Sequence, residues 1–190
     1  MNRSPVLPWI LLVFWAAWAQ AAQGLLAPVT PWAPDLGVVL LLSLATRLPT
    51  EHLPKVALAV GLGRVALSVE SPTAVFAGLL MLAAGARGLR SMLEVHGAVT
   101  RSLLAGLGAW GFALWLGYVH EARVLAEMSV QASQFPSVWA ELEPLSRAAD
   151  WRGPLAAAAV ALLLGPVLAR LPGLGPLHRR KAWARDASGR

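Results

Sequence analysis

The sequence predicts an all-α, polytopic integral membrane protein of about six transmembrane helices, and three observations carry that expectation. Of 190 residues, 57% are hydrophobic and only 14% are charged, too little charge to cover the surface of a soluble domain of this size. The apolar residues fall into runs of near membrane-spanning length, such as Ser4 to Pro34, which contains no Asp, Glu, Lys or Arg. Short clusters of Pro, Gly and charge separate these runs, as expected where each span satisfies its own backbone hydrogen bonds as a helix.

The first span is predicted over residues 7–26. Arg3 followed by an apolar region, Ala17-Trp18-Ala19 and Ala19-Gln20-Ala21 also fits a secretory signal with a small-residue cleavage site near residue 21. Apolar character continues through Leu25 and Leu26, which favours a retained anchor. The second span, 36–48, is the weakest. Its charge-free part is about 11 residues, well short of a hydrocarbon core of roughly 30 Å. A re-entrant hairpin with the third span is the alternative; a full crossing needs Pro31 to Pro34 to cover the remaining depth and Arg47 to snorkel outward. The third span is predicted over 56–69, the fourth over 72–86, the fifth over 102–119 and the sixth over 154–171. Residues 1–177 then form one transmembrane domain with an outer loop at 120–152. That loop holds enough apolar residues, Val124, Leu125, Met128, Val138, Trp139 and Leu142, for one or two interfacial helices.

Charge segregation gives the orientation. Six crossings place Arg3, Arg47, Lys55, Arg87, Arg90, Arg101, Arg170 and the tail's Arg179, Arg180, Lys181, Arg185 and Arg190 on one side, against Arg123, Arg147 and Arg152 on the other. The positive-inside rule puts both termini in the cytoplasm. The basic tail, 178–190, is then suited to anionic membrane lipid rather than to nucleic acid, or to plain solvation.

Asp35 and Ser71 read as helix starts. Pro34-Asp35-Leu36 offers a carboxylate to the first free backbone donors of the second span, and Ser71-Pro72 offers a serine cap before a proline at the first helical position. Arg64 is the one charge well inside a span. An arginine there costs at least about 2.5 kcal/mol on insertion scales, so it should snorkel to the outer headgroups or meet a buried polar partner. Glu70 is six residues on, about 240° around a continuous helix, a poor same-helix partner. Asp35, at the outer mouth of the neighbouring helix, is the preferred acid.

Small residues recur every fourth position in two spans: Ala105, Ala109, Ala113 and Gly117 in the fifth, and Gly153, Ala157, Ala161, Gly165 and Ala169 in the sixth. That spacing lets helix backbones approach closely in lipid. Mutual packing of the two helices is favoured over contact with a partner protein.

Chemistry of the chain's own is not expected. Cysteine is absent, and His52, His96, His120 and His178 fall outside or at the ends of spans without ligand spacing, so neither a metal nor another cofactor is predicted. Ser43 and Ser68 are lone hydroxyls, expected to bond a backbone carbonyl. The phosphate-loop and dinucleotide glycine patterns are missing.

Several of these features together resemble the rod shape-determining protein MreD family. They are the Pro34-Asp35 helix start, the basic break Thr46-Arg47-Leu48-Pro49, the glycines Gly61 and Gly63 in the third span, the Ser71-Pro72 turn and the basic exit Arg87-Gly88-Leu89-Arg90. The last span, with Leu163-Leu164-Gly165-Pro166-Val167-Leu168 before Arg170, is similar to that family's final helix. The resemblance covers about Pro31 to Leu171. It departs where members often carry an acid near the outer end of the third helix, since Arg64 to Ser68 holds an arginine and no acid before Glu70. The resemblance implies a non-catalytic scaffold of bacterial cell-wall elongation in the cytoplasmic membrane. Its implied partners are the bitopic protein MreC, the actin-like MreB, and RodA with its transpeptidase. It also implies a fold similar to the substrate-binding subunits of energy-coupling-factor vitamin transporters. A small-molecule carrier subunit is therefore the alternative function, and it would require a polar cavity facing the outer side.

Overall fold

A computed structural model describes residues 6–68, 70–92, 97–129, 150–168 and 170–174. Six α-helices are present among them: α1 (Leu7–Leu26), α2 (Leu36–Ala45), α3 (Leu53–Val65), α4 (Pro72–Met92), α5 (Ala98–Ser129) and α6 (Arg152–Leu168). A single 3-10 turn, Thr50–His52, precedes α3. Three helices, α1, α4 and α5, are long and apolar enough to cross a membrane, which marks this as a helical membrane protein.

Consecutive helices alternate in direction. At one end, here the upper, Asp35 at the start of α2 meets Arg64 near the end of α3, and Trp32 packs edge-on against Trp151 before α6. At the lower end Trp9 of α1 packs against His52, and Arg101 of α5 reaches Ala161 of α6.

The hub is α2. All residues from Gly37 to Ala45 are buried, and the helix touches each of the other five. Its sequence dictates this position: Leu36–Ala45 is apolar on every face apart from Ser43, and a helix with no polar stripe must be enclosed on all sides. Enclosure also resolves its shortness. Ten residues make about 15 Å of helix, and backbone that ends short of the headgroups is tolerated in a bilayer when protein surrounds it. The surrounding helices turn large apolar side chains outward, among them Ile10, Phe14, Trp18, Leu62, Met81, Leu103, Leu107 and Leu163. An apolar exterior around an apolar core suits lipid as solvent.

Close approaches are made at glycines. A Cβ at Gly63 would lie 2.7 Å from the backbone nitrogen of Ala17, so α3 and α1 touch nearly backbone to backbone. In the α5–α6 seam, Ala105, Ala109, Ala157, Ala161 and Gly165 are buried, Gly106 faces Ala158, and the Ser102 hydroxyl donates to the Ala158 carbonyl at 2.7 Å.

Several boundaries differ from the sequence expectation. α3 covers Leu53–Val65 rather than 56–69; Pro54 is accommodated in the first turn, where its missing N–H is harmless. α4 continues through Arg87 to Met92. α5 extends to Ser129, so residues 124–128 belong to it rather than to a separate interfacial helix. Charged but helix-forming residues such as Glu121 and Arg123 end a hydrophobic span without ending a helix. The rest of the predicted interfacial segment, 130–149, Ala169, His96, and the tail with His178 lie outside the described residues.

Candidate functional site

The upper end carries a three-residue ionic lock. Asp35 is the N-cap of α2 and accepts from the Val38 amide through Oδ1 at 2.9 Å. Its second oxygen, Oδ2, lies 2.5 Å from Arg64 Nη1. One carboxylate thus caps a helix and receives the arginine, so the two roles open to Asp35 coexist.

Glu70, a poor partner on angular grounds, is nevertheless Arg64's second acid. Nε donates to Oε2 at 2.6 Å and Nη2 to Oε1 at 2.8 Å. The angular argument fails because α3 stops at Val65: the amides of Ala66 and Leu67 bond back to Leu62 and Arg64, and the chain leaves the helix before Glu70. The planar guanidinium is therefore held in a bidentate grip on one side and a single bond on the other, the geometry in which arginine binds carboxylates most strongly. The Phe112 ring lies 4.9 Å from Arg64 Cζ. Arg64 is 5% exposed, so it is enclosed in the bundle rather than snorkelling outward.

Ser71 precedes α4, and its carbonyl accepts from the Val75 amide at 3.1 Å. Its hydroxyl meets Thr73 Oγ1 at 2.9 Å instead of the free amides expected of a side-chain cap. The buried hydroxyls of Ser43 and Ser68 have no hydrogen-bond partner among the described residues, contrary to the expected bond to a backbone carbonyl.

Beside the lock lies a cleft of about 530 Å³, lined by Gln23, Asp35, Arg64, Glu70, His120, Glu121 and Asp150 together with apolar residues of α5 and the start of α6. The small-residue series divides here. Ala113 and Gly117, with Ala109 at the border, line the cleft; they do not continue the packing seam because α6 begins at Arg152 and its first turn already lies opposite Gly106 of α5. Gly153 also borders the cleft and sits against the Ala33 carbonyl. Lower down, Gly165 serves another purpose, since a Cβ there would lie 2.7 Å from Arg101 Nε. The glycine makes room for an arginine as well as for a helix.

Arg101 is the functional candidate that sequence reasoning missed. It is 6% exposed and donates from Nε to the Ala161 carbonyl at 3.3 Å. Its position near the start of a span made it look like one more flanking positive charge. The available signal was Gly165, the one glycine of the seam placed opposite it.

Among the described residues, no group of three or more His, Cys, Asp or Glu side chains is placed to hold a metal ion. Compared with protein-family models, with curated proteins and with solved structures, the chain matches none.

Proposed function

We propose that this protein is a non-catalytic scaffold of the bacterial cell-wall elongation machinery, a divergent relative of the MreD family. In this reading all six helices cross the cytoplasmic membrane, with both termini in the cytoplasm. The upper end is then the outer side, and a bitopic MreC-like protein is the immediate partner; MreB and RodA with its transpeptidase are engaged directly or through it. The observation that supports it best is the Asp35–Arg64–Glu70 lock. The most buried charge at the outer side is fully engaged in tying α2, α3 and the α4 approach together, leaving a rigid body with an apolar exterior suited to lateral contact with other membrane helices.

A second reading, a small-molecule carrier subunit, is favoured by the cleft. Its volume falls in the range of ligand pockets, and Gln23, His120, Glu121 and Asp150 line it beside the lock. Affinity purification of the tagged chain from its own membranes separates the two. Co-purification of an MreC-like single-span protein supports the scaffold. Saturable binding of a vitamin-sized molecule by the purified protein, with no such partner, would replace it with the carrier.

A further inference from the structure

The lower end gathers three arginines, Arg47, Arg101 and Arg170, while its described acid, Glu51, lies beside His52. Arg47 follows the end of α2, its amide bonded to the Leu44 carbonyl at 3.0 Å, and Arg170 follows the end of α6, its amide bonded to Val167 at 2.8 Å. α2 and α6 pack side by side and run in the same direction. Arg101, in the first turn of α5, lies against the last turns of α6 through Ala161 and the space left by Gly165. The ionisation of Arg47 is disfavoured, first by burial and then by the charges of Arg170 and Arg101. Among the described residues none of the three makes an ion pair.

Helix dipoles account for part of this placement. The C-terminal ends of α2 and α6 each present about half a negative charge, which draws Arg47 and Arg170. Two such ends offset about one of three positive charges, and α5 begins at this same end with the opposite polarity. Of the three only Arg101 is buried, and a charge removed from water is tolerated only when it is paired. One carbonyl at 3.3 Å is a thin partner for a side chain as enclosed as Arg101. A phosphate group carries about one to two negative charges, which suits such a cluster, and arginines bind phosphate by multidentate hydrogen bonding.

We infer that Arg47, Arg101 and Arg170 form a binding site for a phosphate-bearing anion at the end of the bundle opposite the ionic lock. Two sources offer that group: the headgroup of an anionic phospholipid, or phosphate from solution. The lipid source rests on the chain being embedded in a membrane. Neither source depends on the wall-elongation reading.

The test uses the full-length chain in a neutral detergent. Its melting temperature is followed during titration with phosphatidylglycerol in mixed micelles, with phosphatidylcholine, and with inorganic phosphate at constant ionic strength. Phosphatidylglycerol should raise the melting temperature and phosphatidylcholine should not. Arg47→Gln and Arg170→Gln should each move the midpoint of that response roughly fivefold to higher lipid, and Arg101→Gln should abolish it. If Arg101→Gln does not accumulate, Arg170→Gln at its exposed position carries the test, with Arg152→Gln at the opposite end leaving the response unchanged. A response to phosphatidylglycerol alone assigns the site to a headgroup, and one shared with inorganic phosphate assigns it to phosphate in general. Equal responses to the two lipids without one to phosphate, or an anion response unaltered in Arg47→Gln and Arg170→Gln, would overturn the inference.

Discussion

Arg64 grips Glu70 through two nitrogens, at 2.6 and 2.8 Å, although the two residues are only six positions apart and no continuous helix would let them meet. The contact exists because α3 ends one residue after Arg64. It makes the helix end, Arg64 and the approach to α4 parts of one device, completed by Asp35 across the interface with α2.

The lock predicts an order of mutational damage. Arg64→Leu should be the most harmful single change, since it leaves two acids facing each other; losing one partner of a buried ion pair costs about 3–5 kcal/mol in soluble proteins. Asp35→Asn should be mild, because asparagine also caps, while Asp35→Leu loses both the cap, about 1 kcal/mol, and the ion pair. A two-way charge swap of Asp35 and Arg64 should not rescue, because the new aspartate at position 64 would face Glu70. Adding Glu70→Lys to the swap should restore accumulation. Yield of folded protein on size-exclusion chromatography checks the order, and rescue by the two-way swap alone would remove Glu70 from the lock.

These residues also show what the sequence reveals and what it conceals. Asp35 was legible as both cap and acid, because antiparallel helices bring the start of α2 to the end of α3. Glu70 was not, because the predicted span runs to Val69 whereas the helix stops at Val65; hydropathy marks where a span tolerates lipid, not where its hydrogen bonds end. α1 occupies residues 7–26 as expected, within a longer charge-free run from Ser4 to Pro34. The central position of α2 follows from its lack of any polar face, yet its shortness made it look marginal until its neighbours were known. Arg101 and the cleft were hidden for the same reason: each is made by residues from distant segments, and periodicity within one helix carries no record of that.

Glycine substitutions test the close packing of α1 on α3. Gly63→Ala brings a methyl group against the Ala17 backbone, which cannot rotate away, and should lower stability by about 1–3 kcal/mol, as overpacking does. Gly111→Ala, with nothing within 4 Å of the new atom, should be neutral or slightly stabilising. Melting in detergent distinguishes the two, and equal behaviour would contradict the α1–α3 approach.

The divided small-residue series gives a second contrast. Ala161→Leu falls in the buried α5–α6 seam and should prevent accumulation. Ala113→Leu points into the cleft region and should leave the protein folded. Should Ala113→Leu fail to accumulate while Ala161→Leu behaves normally, the assignment of seam and cleft would be reversed.

The proposed six crossings make a topology prediction. Reporters fused near Glu51 and after Arg190 should read cytoplasm, and one inserted near Gln134 should read the outer side. A cytoplasmic signal at Gln134 would mean that the charge segregation had been assigned to the wrong number of crossings.

The central claim is that the chain serves wall elongation, and cell width after its depletion tests it most directly. Depleted cells should widen and round over a few generations, and expression of the unmodified chain should restore their width. Unchanged cell dimensions after complete depletion would contradict the scaffold account.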